Sequence, residues 1–357
     1  MPHRAPAKSS IVLLFLTLIL ALLLAAVTVM NRLGADRWWF GALNLYLPQV
    51  IWAIPGILLT AAMALVNRRL LWLPLLCVVW VLVPLMGLTW SRQSPPKPGQ
   101  TSLRIMSCNV KYGARDLPAL LAEMDQARPD VVLFQDATGL INSRDSGYFR
   151  DWDIRYYGQY VIASRLPLEE AEVQWLTAPG RGRGEGCLRC RLRIAGTPLT
   201  LFNVHLQSPR DALSLVPAAV KNPRFRDFVA TRLAASAEFR YDQAEVLTLL
   251  LRQETGAVIV AGDLNSPDAS RVCATLREAG LHDAFTQGGR GYGYTYGHFV
   301  APERAPFPRF SFVRIDHIMM SSQLRAVRCW TGTAAASDHR PVYADLIIKP
   351  FAPAPKQ

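Results

Sequence analysis

Apolar and polar positions divide the chain into two regimes. From Ile11 to Met30 twenty residues run without a charge, and as a helix that run would extend about 30 Å, the thickness of a bilayer's hydrocarbon. Tyr46–Val66 and Leu70–Trp90 repeat the pattern, separated only by Asn67-Arg68-Arg69. Pro48, Pro55, Pro74 and Pro84 would break soluble helices, but a membrane bundle accommodates them. Trp38, Trp39, Phe40, Tyr46, Trp72 and Trp90 gather near the ends of the runs, as an aromatic belt does. A cleaved signal peptide fits poorly: the first run is longer than such a core, no clear A-x-A site follows, and further apolar runs come next. The expectation is a basic tail over 1–10 and three transmembrane helices over about 11–30, 46–66 and 70–90.

The period then changes. Ser91–Gln100 contains Pro95, Pro96, Pro98 and Gly99 and reads as a semi-rigid linker. Beyond it Leu103–Val110 alternates like a strand, Leu117–Ala127 has helical spacing, and Val131–Phe134 is a buried-strand run. Further strands are expected at 160–163, 187–194, 199–204, 258–260, 314–320 and 342–348, with helices at 234–252 and 269–279. Strands and helices are mixed, so residues 101–350 form an α/β or α+β domain with substantial sheet, followed by a tail over 351–357.

Charge sharpens this division. The net charge is +12; residues 1–100 hold 8 Lys+Arg against Asp36 alone, leaving 31 against 26 for the remainder. A mildly basic domain suits a phosphate-bearing substrate without identifying nucleic acid. Of the six cysteines only Cys187 and Cys190 are close, with no second pair to complete a zinc site. Free thiols are expected, with a disulfide between strand neighbours as the alternative.

Candidate chemistry centres on Gly262-Asp263-Leu264-Asn265-Ser266, directly after the apolar run Val258–Ala261. Residues two apart on an extended segment share a face, so Asp263 and Asn265 project together from a strand's end. Asn109, Asp136, His205, Asp316, Asp338 and His339 also lie at or just beyond apolar runs. An Asp after a strand is usually a turn residue, but so many carboxylates, carboxamides and imidazoles at strand ends suit phosphoester hydrolysis. That reaction needs a cation on the non-bridging oxygens, a base for water and donors for developing charge.

At these positions the chain resembles the endonuclease/exonuclease/phosphatase superfamily with the deoxyribonuclease-I-like fold. The matching segments are Leu103-Arg-Ile-Met-Ser-Cys-Asn109-Val, Val131-Val-Leu-Phe-Gln135-Asp136, Ala163-Ser-Arg-Leu-Pro-Leu168, Asn203-Val-His205, Gly262-Asp-Leu-Asn265, Arg314-Ile-Asp316-His317 and Ser337-Asp338-His339. The resemblance implies an α/β four-layer sandwich of two packed mixed β-sheets flanked by helices, here preceded by the three transmembrane helices. It implies Asp136 as main metal ligand, supported by Asn109, with Asp338 as a further ligand, and magnesium, or manganese in its place, as the ion. Asp263 would orient or deprotonate the attacking water, Asn265 would hold a phosphate oxygen, and His339, oriented by Asp316, would serve as base or transition-state stabiliser. His205 would bind phosphate or protonate the leaving group. The division of base work between Asp263 and His339 stays open. One departure stands out: the family usually has Gln-Glu where this chain has Gln135-Asp136, a carboxylate one methylene shorter. His317, adjacent to Asp316 on a strand, faces the other way and reads as structural.

Substrate selection is expected from Arg181 and Arg183, in the glycine-rich loop 179–186, and from Arg210 in the basic stretch after His205, read as an arginine fringe for phosphate. Phe225, Phe228, Val229 and Leu233 accompany that stretch and suit a membrane surface. The tether favours a lipid-linked phosphate, with nuclease action on DNA or RNA and a catalytically weak scaffold as alternatives. No obligate protein partner is inferred. The basic residues flanking the spans tie between the two orientations. An odd number of spans sets the domain across the membrane from the N-terminus, and the resemblance tips it to the extracytoplasmic side of a multi-pass protein of the cell membrane.

Overall fold

The computed structural model describes residues 8–112, 116–142, 147–177, 186–297, 310–334 and 336–349. Its strands, in chain order, are β1 Thr89–Trp90, β2 Ser102–Asn109, β3 Val131–Gln135, β4 Asp153–Tyr157, β5 Tyr160–Ser164, β6 Leu168–Trp175 and β7 Gly186–Ile194. There follow β8 Thr197–His205, β9 Ala257–Asp263, β10 His282–Asp283, β11 Arg290–Gly291, β12 Asp316–Met320, β13 Leu324–Thr331 and β14 Val342–Ile348. Two six-stranded sheets run β13-β14-β2-β3-β5-β4 and β10-β12-β9-β8-β7-β6. Each is antiparallel except for one central parallel pair, β2 with β3 and β8 with β9.

Strand periodicity builds the layers. Leu103 and Ile105 on β2 face inward against Leu201 on β8, Ile259 and Ala261 on β9 and Ile318 on β12. The alternate residues Met106 and Cys108 face outward under Leu120 and Met124 of the helix Leu117–Ala127. On the far side Val258 and Val260 meet Ala244, Leu247 and Leu251 of the helix Arg226–Leu251, and Val272 and Leu276 of the helix Arg271–Glu278. The result is a four-layer sandwich. Asp116 caps the first of these helices and Ser270 the last, each side chain accepting from the backbone N–H three residues on. All six cysteines are buried free thiols; Cys187 packs on the outer face and Cys190 in the inter-sheet core, because three steps along a strand reverse the face.

Three helices, Lys8–Arg32, Gln49–Val66 and Arg68–Leu85, are long and apolar enough to cross a membrane. They run up, down and up: the Trp80 indole donates to Thr28 Oγ1 at 3.1 Å, both near the ends of their helices that adjoin the sandwich. Two boundaries differ from expectation. Tyr46 leaves the second run and is buried with Leu213, Val229 and Ile315 of the sandwich, held there by a short helix, Trp39–Leu45. The third run ends early because Thr89–Trp90 pairs as β1 with β11. The linker also lies along the domain, with Ser91 N–H on Gly289 O at 3.0 Å and Ser94 N–H on Val327 O at 3.3 Å.

Gly262 makes the close approach that the end of β9 requires. It has φ +150°, and a Cβ there would lie 1.8 Å from the Val204 carbonyl oxygen on the paired strand β8. Gly262→Ala is therefore expected to destabilise the full-length protein by more than about 1 kcal/mol, read as a lowered thermal midpoint in detergent; a midpoint equal to wild type would refute the account.

Candidate active site at the strand ends

Register brings the chemistry together. His205, last on β8, lies opposite Asp263, last on β9, in the parallel pair. Asp316, first on antiparallel β12, faces the same Asp263. Asn109, last on β2, lies opposite Gln135, and Asp136 follows directly. With Asn265, Asp338 and His339 from the adjoining loops, Asn109, Asp136, His205 and Asp263 line one cleft of about 200 Å³. Two of these residues hold left-handed backbone, Asp136 at φ +49° and Asn265 at φ +48°, a conformation that non-glycine residues keep only where surroundings enforce it.

The site is held by a dense bond set. Asp263 Oδ2 accepts from Asn109 Nδ2 at 3.0 Å, and its Oδ1 accepts from the Asn265 N–H at 2.8 Å. His339 Nδ1 donates to Asp316 Oδ2 at 2.9 Å, which aims Nε2 into the cleft, 3.8 Å from Asp263 Oδ2. His205 Nδ1 donates to Gln159 Oε1 at 2.6 Å and presents Nε2 3.6 Å from the same Asp263 oxygen. Asn265 Nδ2 donates to the Leu206 carbonyl at 2.9 Å, leaving its second N–H for a ligand.

Burial and then the neighbouring Asp316 push the Asp263 carboxyl up to about 7, matched to proton transfer near neutral pH. Burial would depress the His339 imidazolium, but Asp316 and Asp263 outweigh it and raise its pKa to about 9. Asp338 moves the other way: against burial, His339, Lys111 and Arg210 hold its carboxyl below the ordinary range.

The residues fit a hard divalent cation. Asp136, Asn109 and Asp338 offer only oxygens from one cleft. Asn109 Oδ1 already accepts from the Lys111 N–H at 3.0 Å, but a carbonyl oxygen has a second lone pair. Asp338 is engaged by Lys111 Nζ at 2.7 Å, so Asp136 and Asn109 are the readier ligands. Asp263, Asp316 and His339 also converge within 4.8 Å, with His339 hydrogen-bonded to Asp316 and facing Asp263 at 3.8 Å. A second convergence, Asp268, Cys273 and His317, is structural: His317 Nε2 meets the Ser266 carbonyl at 3.0 Å and Nδ1 lies 3.2 Å from Arg314 Nη1. Arg314, buried under the strand that carries Asp316, also pairs with Asp268 and with Asp283 Oδ2 at 2.7 Å.

Of the expected arginines, Arg210 reaches the cleft, its Nη2 donating to Tyr296 Oη at 2.9 Å and standing 3.9 Å from Asp338. Arg181 and Arg183 lie outside the described residues. The structure adds Lys111, Gln159 and Tyr296, whose ring lies 4.5 Å from that of His339. Lys111 had a signal, two residues past Asn109. Tyr296 belongs to the aromatic-glycine tract Gly291–Gly297, whose stacked Tyr292 and Tyr294 instead donate to the carbonyls of Leu82 and Met86 in the block of apolar helices.

Comparison with known proteins fits this geometry. The profile described as Endonuclease/Exonuclease/phosphatase family matches residues 106–339. The endonuclease/exonuclease/phosphatase from Bacteroides vulgatus superposes with a TM-score of 0.52 at 18% identity, covering 70% of this chain and 100% of that one. A family protein from Bacteroides thetaiotaomicron gives 0.52 at 16%, covering 72% and 99%. TDP2 of D. rerio, complexed with single strand DNA product, gives 0.50 at 20%, covering 69% and 98%. At these identities the likeness is one of fold. No curated protein matches the chain.

The buried pair beneath the site has a pH signature. Burial works to raise the Asp283 pKa, but Arg314 and His317 outweigh it and hold the carboxyl well below its ordinary 3.8. A depressed carboxyl contributes stability that is fully present above its unfolded value and is lost as pH falls. Asp283→Asn is expected to cost on the order of 3 kcal/mol at pH 7, and the gap to wild type should narrow below the ordinary 3.8. Denaturant unfolding across pH checks this; a gap that stays constant into acid would refute it.

Proposed function

The chain belongs to the endonuclease/exonuclease/phosphatase family, whose hydrolases act on phosphoester bonds with divalent metals, and from that premise we propose that it is a membrane-anchored phosphoesterase acting on a lipid-linked phosphate. The observation that carries the chemistry is the position of Asp263, whose Oδ2 lies 3.0 Å from Asn109, 3.6 Å from His205 and 3.8 Å from His339. It is the carboxylate that both cleft imidazoles face.

In this reading Asp263 orients the attacking water and takes its proton. His339, with Nδ1 held by Asp316, turns Nε2 to a non-bridging phosphate oxygen, where charge grows in the transition state. Asn265 donates its remaining N–H to the phosphate. His205, facing Asp263, binds phosphate or protonates the leaving oxygen. Arg210 receives the phosphate at the mouth of the cleft. A magnesium ion, or manganese in its place, held by Asp136 and Asn109 with Asp338 as a further ligand, would neutralise phosphate oxygens.

The lipid preference is supported by which end of the sandwich meets the membrane block. Tyr46 donates to the Asn265 carbonyl, and Tyr292 and Tyr294 to Leu82 and Met86, so the catalytic end of the strands adjoins the apolar helices and would sit at a bilayer surface. In this reading the helices cross the cell membrane and the catalytic domain lies outside the cytoplasm. The second reading, nuclease action, draws on the D. rerio neighbour with its single strand DNA product; the engagement of Tyr292 and Tyr294 with the membrane block weighs against their stacking on bases.

The full-length protein in detergent, given magnesium, should release phosphate or headgroup from a phospholipid or polyprenyl phosphate, and a chelator should abolish this. Asp263→Asn and His339→Gln should each lower kcat/KM by about 10² to 10⁴. Cleavage of plasmid DNA or short RNA with no lipid turnover would overturn the substrate preference. Unchanged hydrolysis in both variants would remove the site.

A further inference from the structure

Several backbone groups of the turn after β9 are bonded from within the sandwich. Leu264 N–H donates to the Ile315 carbonyl at 2.9 Å, Asn265 N–H donates to Asp263 Oδ1 at 2.8 Å, and the Ser266 carbonyl meets His317 Nε2 at 3.0 Å. The Asn265 carbonyl instead draws its donor from outside it. Its partner is the hydroxyl of Tyr46, at 2.7 Å and 219 residues away in sequence, from the segment joining two apolar helices. Tyr46 and Asn265 are 2% and 3% exposed, so water does not replace this donor.

We propose that Tyr46 is a positioning residue for catalysis: the block of apolar helices supplies the hydrogen bond that fixes the Asn265 backbone in its left-handed conformation, and with it the Asn265 side-chain amide in the cleft. This rests on the reading of the site given above. Local preference does not hold this conformation, because φ +48° is disfavoured for a residue with a Cβ and a buried carbonyl without a donor would rotate to find one. Rotation about the Asn265 N–Cα bond to relieve the left-handed φ would swing its side-chain amide away from the cleft it lines. The tyrosine is itself locked. Gln49 Nε2 donates to the Asn44 carbonyl at 2.6 Å and the Trp52 indole to Asn44 Oδ1 at 3.0 Å, closing the bend around Pro48 that aims Tyr46 at the sandwich. Ala35 N–H on the Ala269 carbonyl at 3.3 Å, and Asp36 Oδ1 accepting from the Arg271 N–H at 2.8 Å, dock the same segment.

Tyr292 supplies the control. Its hydroxyl donates to the Leu82 carbonyl at 3.0 Å, also between sandwich and membrane block, yet it does not line the cleft. The experiment uses full-length protein in lipid nanodiscs with magnesium and the soluble diester bis(p-nitrophenyl) phosphate, so that delivery of a lipid does not enter. Tyr46→Phe should lower kcat about tenfold while KM stays within about twofold of wild type. Tyr292→Phe should leave both constants within about twofold, with the two variants melting at similar temperatures. A Tyr46→Phe kcat equal to wild type, or an equal fall in Tyr292→Phe, would overturn the inference while leaving the assignment of the site intact. A wild-type protein silent on both this diester and lipid phosphate would overturn that assignment, and the inference with it.

Discussion

Gln135 on β3 and Asn203 on β8 are each fully buried, and they meet across the space between the two sheets, Gln135 Nε2 donating to Asn203 Oδ1 at 2.7 Å. Asn203 Nδ2 then donates to the carbonyls of Phe134 and Val161 on the opposite sheet, at 2.9 and 3.0 Å. Apolar packing between sheets tolerates small sliding, but buried amides left without partners are penalised strongly. The bridge therefore sets the offset of one sheet on the other. It lies one residue below Asp136 and two below His205, so fixing that offset also fixes how the strand-end side chains converge.

Given that convergence, electrostatics decides what the cleft can be. Asp136, Asp263, Asp316 and Asp338 crowd into or beside it, and the protein answers with Lys111 on Asp338, Arg210 at its edge and His339 on Asp316. These cations pair with the outer carboxylates, leaving Asp263 to be pushed up by burial and by Asp316. A divalent ion on the Asp136 side would shift that balance. The same positive fringe suits an anionic substrate and leaves the central carboxylate available for proton transfer.

Much of this was legible from pattern because a strand announces its end: Asn109, Asp136, His205 and Asp263 each close or follow an apolar run, and parallel pairs put such ends on one side of a sheet. Asp316 and His339 were marked in the same way, while their roles, like the four-layer architecture, follow from the resemblance to the family. Gln159 and Tyr296 were not legible, and Lys111 only by its place two residues past Asn109, since each acts through a partner whose proximity depends on register between distant segments: Lys111 meets Asp338 across 227 positions and Tyr296 meets His339 through packing. Tyr46 was hidden for another reason. In a run that is apolar throughout, an aromatic reads as a membrane-interface residue, and nothing local separates it from Trp38 or Trp72.

That ambiguity bears on how the two halves of the chain relate. A linker rich in proline suggests a domain held at a distance, yet Ser91 and Ser94 lie along the sandwich and β1 is paired to β11. The segment 35–47 enters the same apolar cluster as Tyr296, Val313 and Ile315, directly behind His339 and Asp316. Removing the first hundred residues would expose that cluster and leave the Asn265 carbonyl without its donor. The block of apolar helices is therefore a wall of the candidate site, and the geometry of the cleft depends on both halves being seated together.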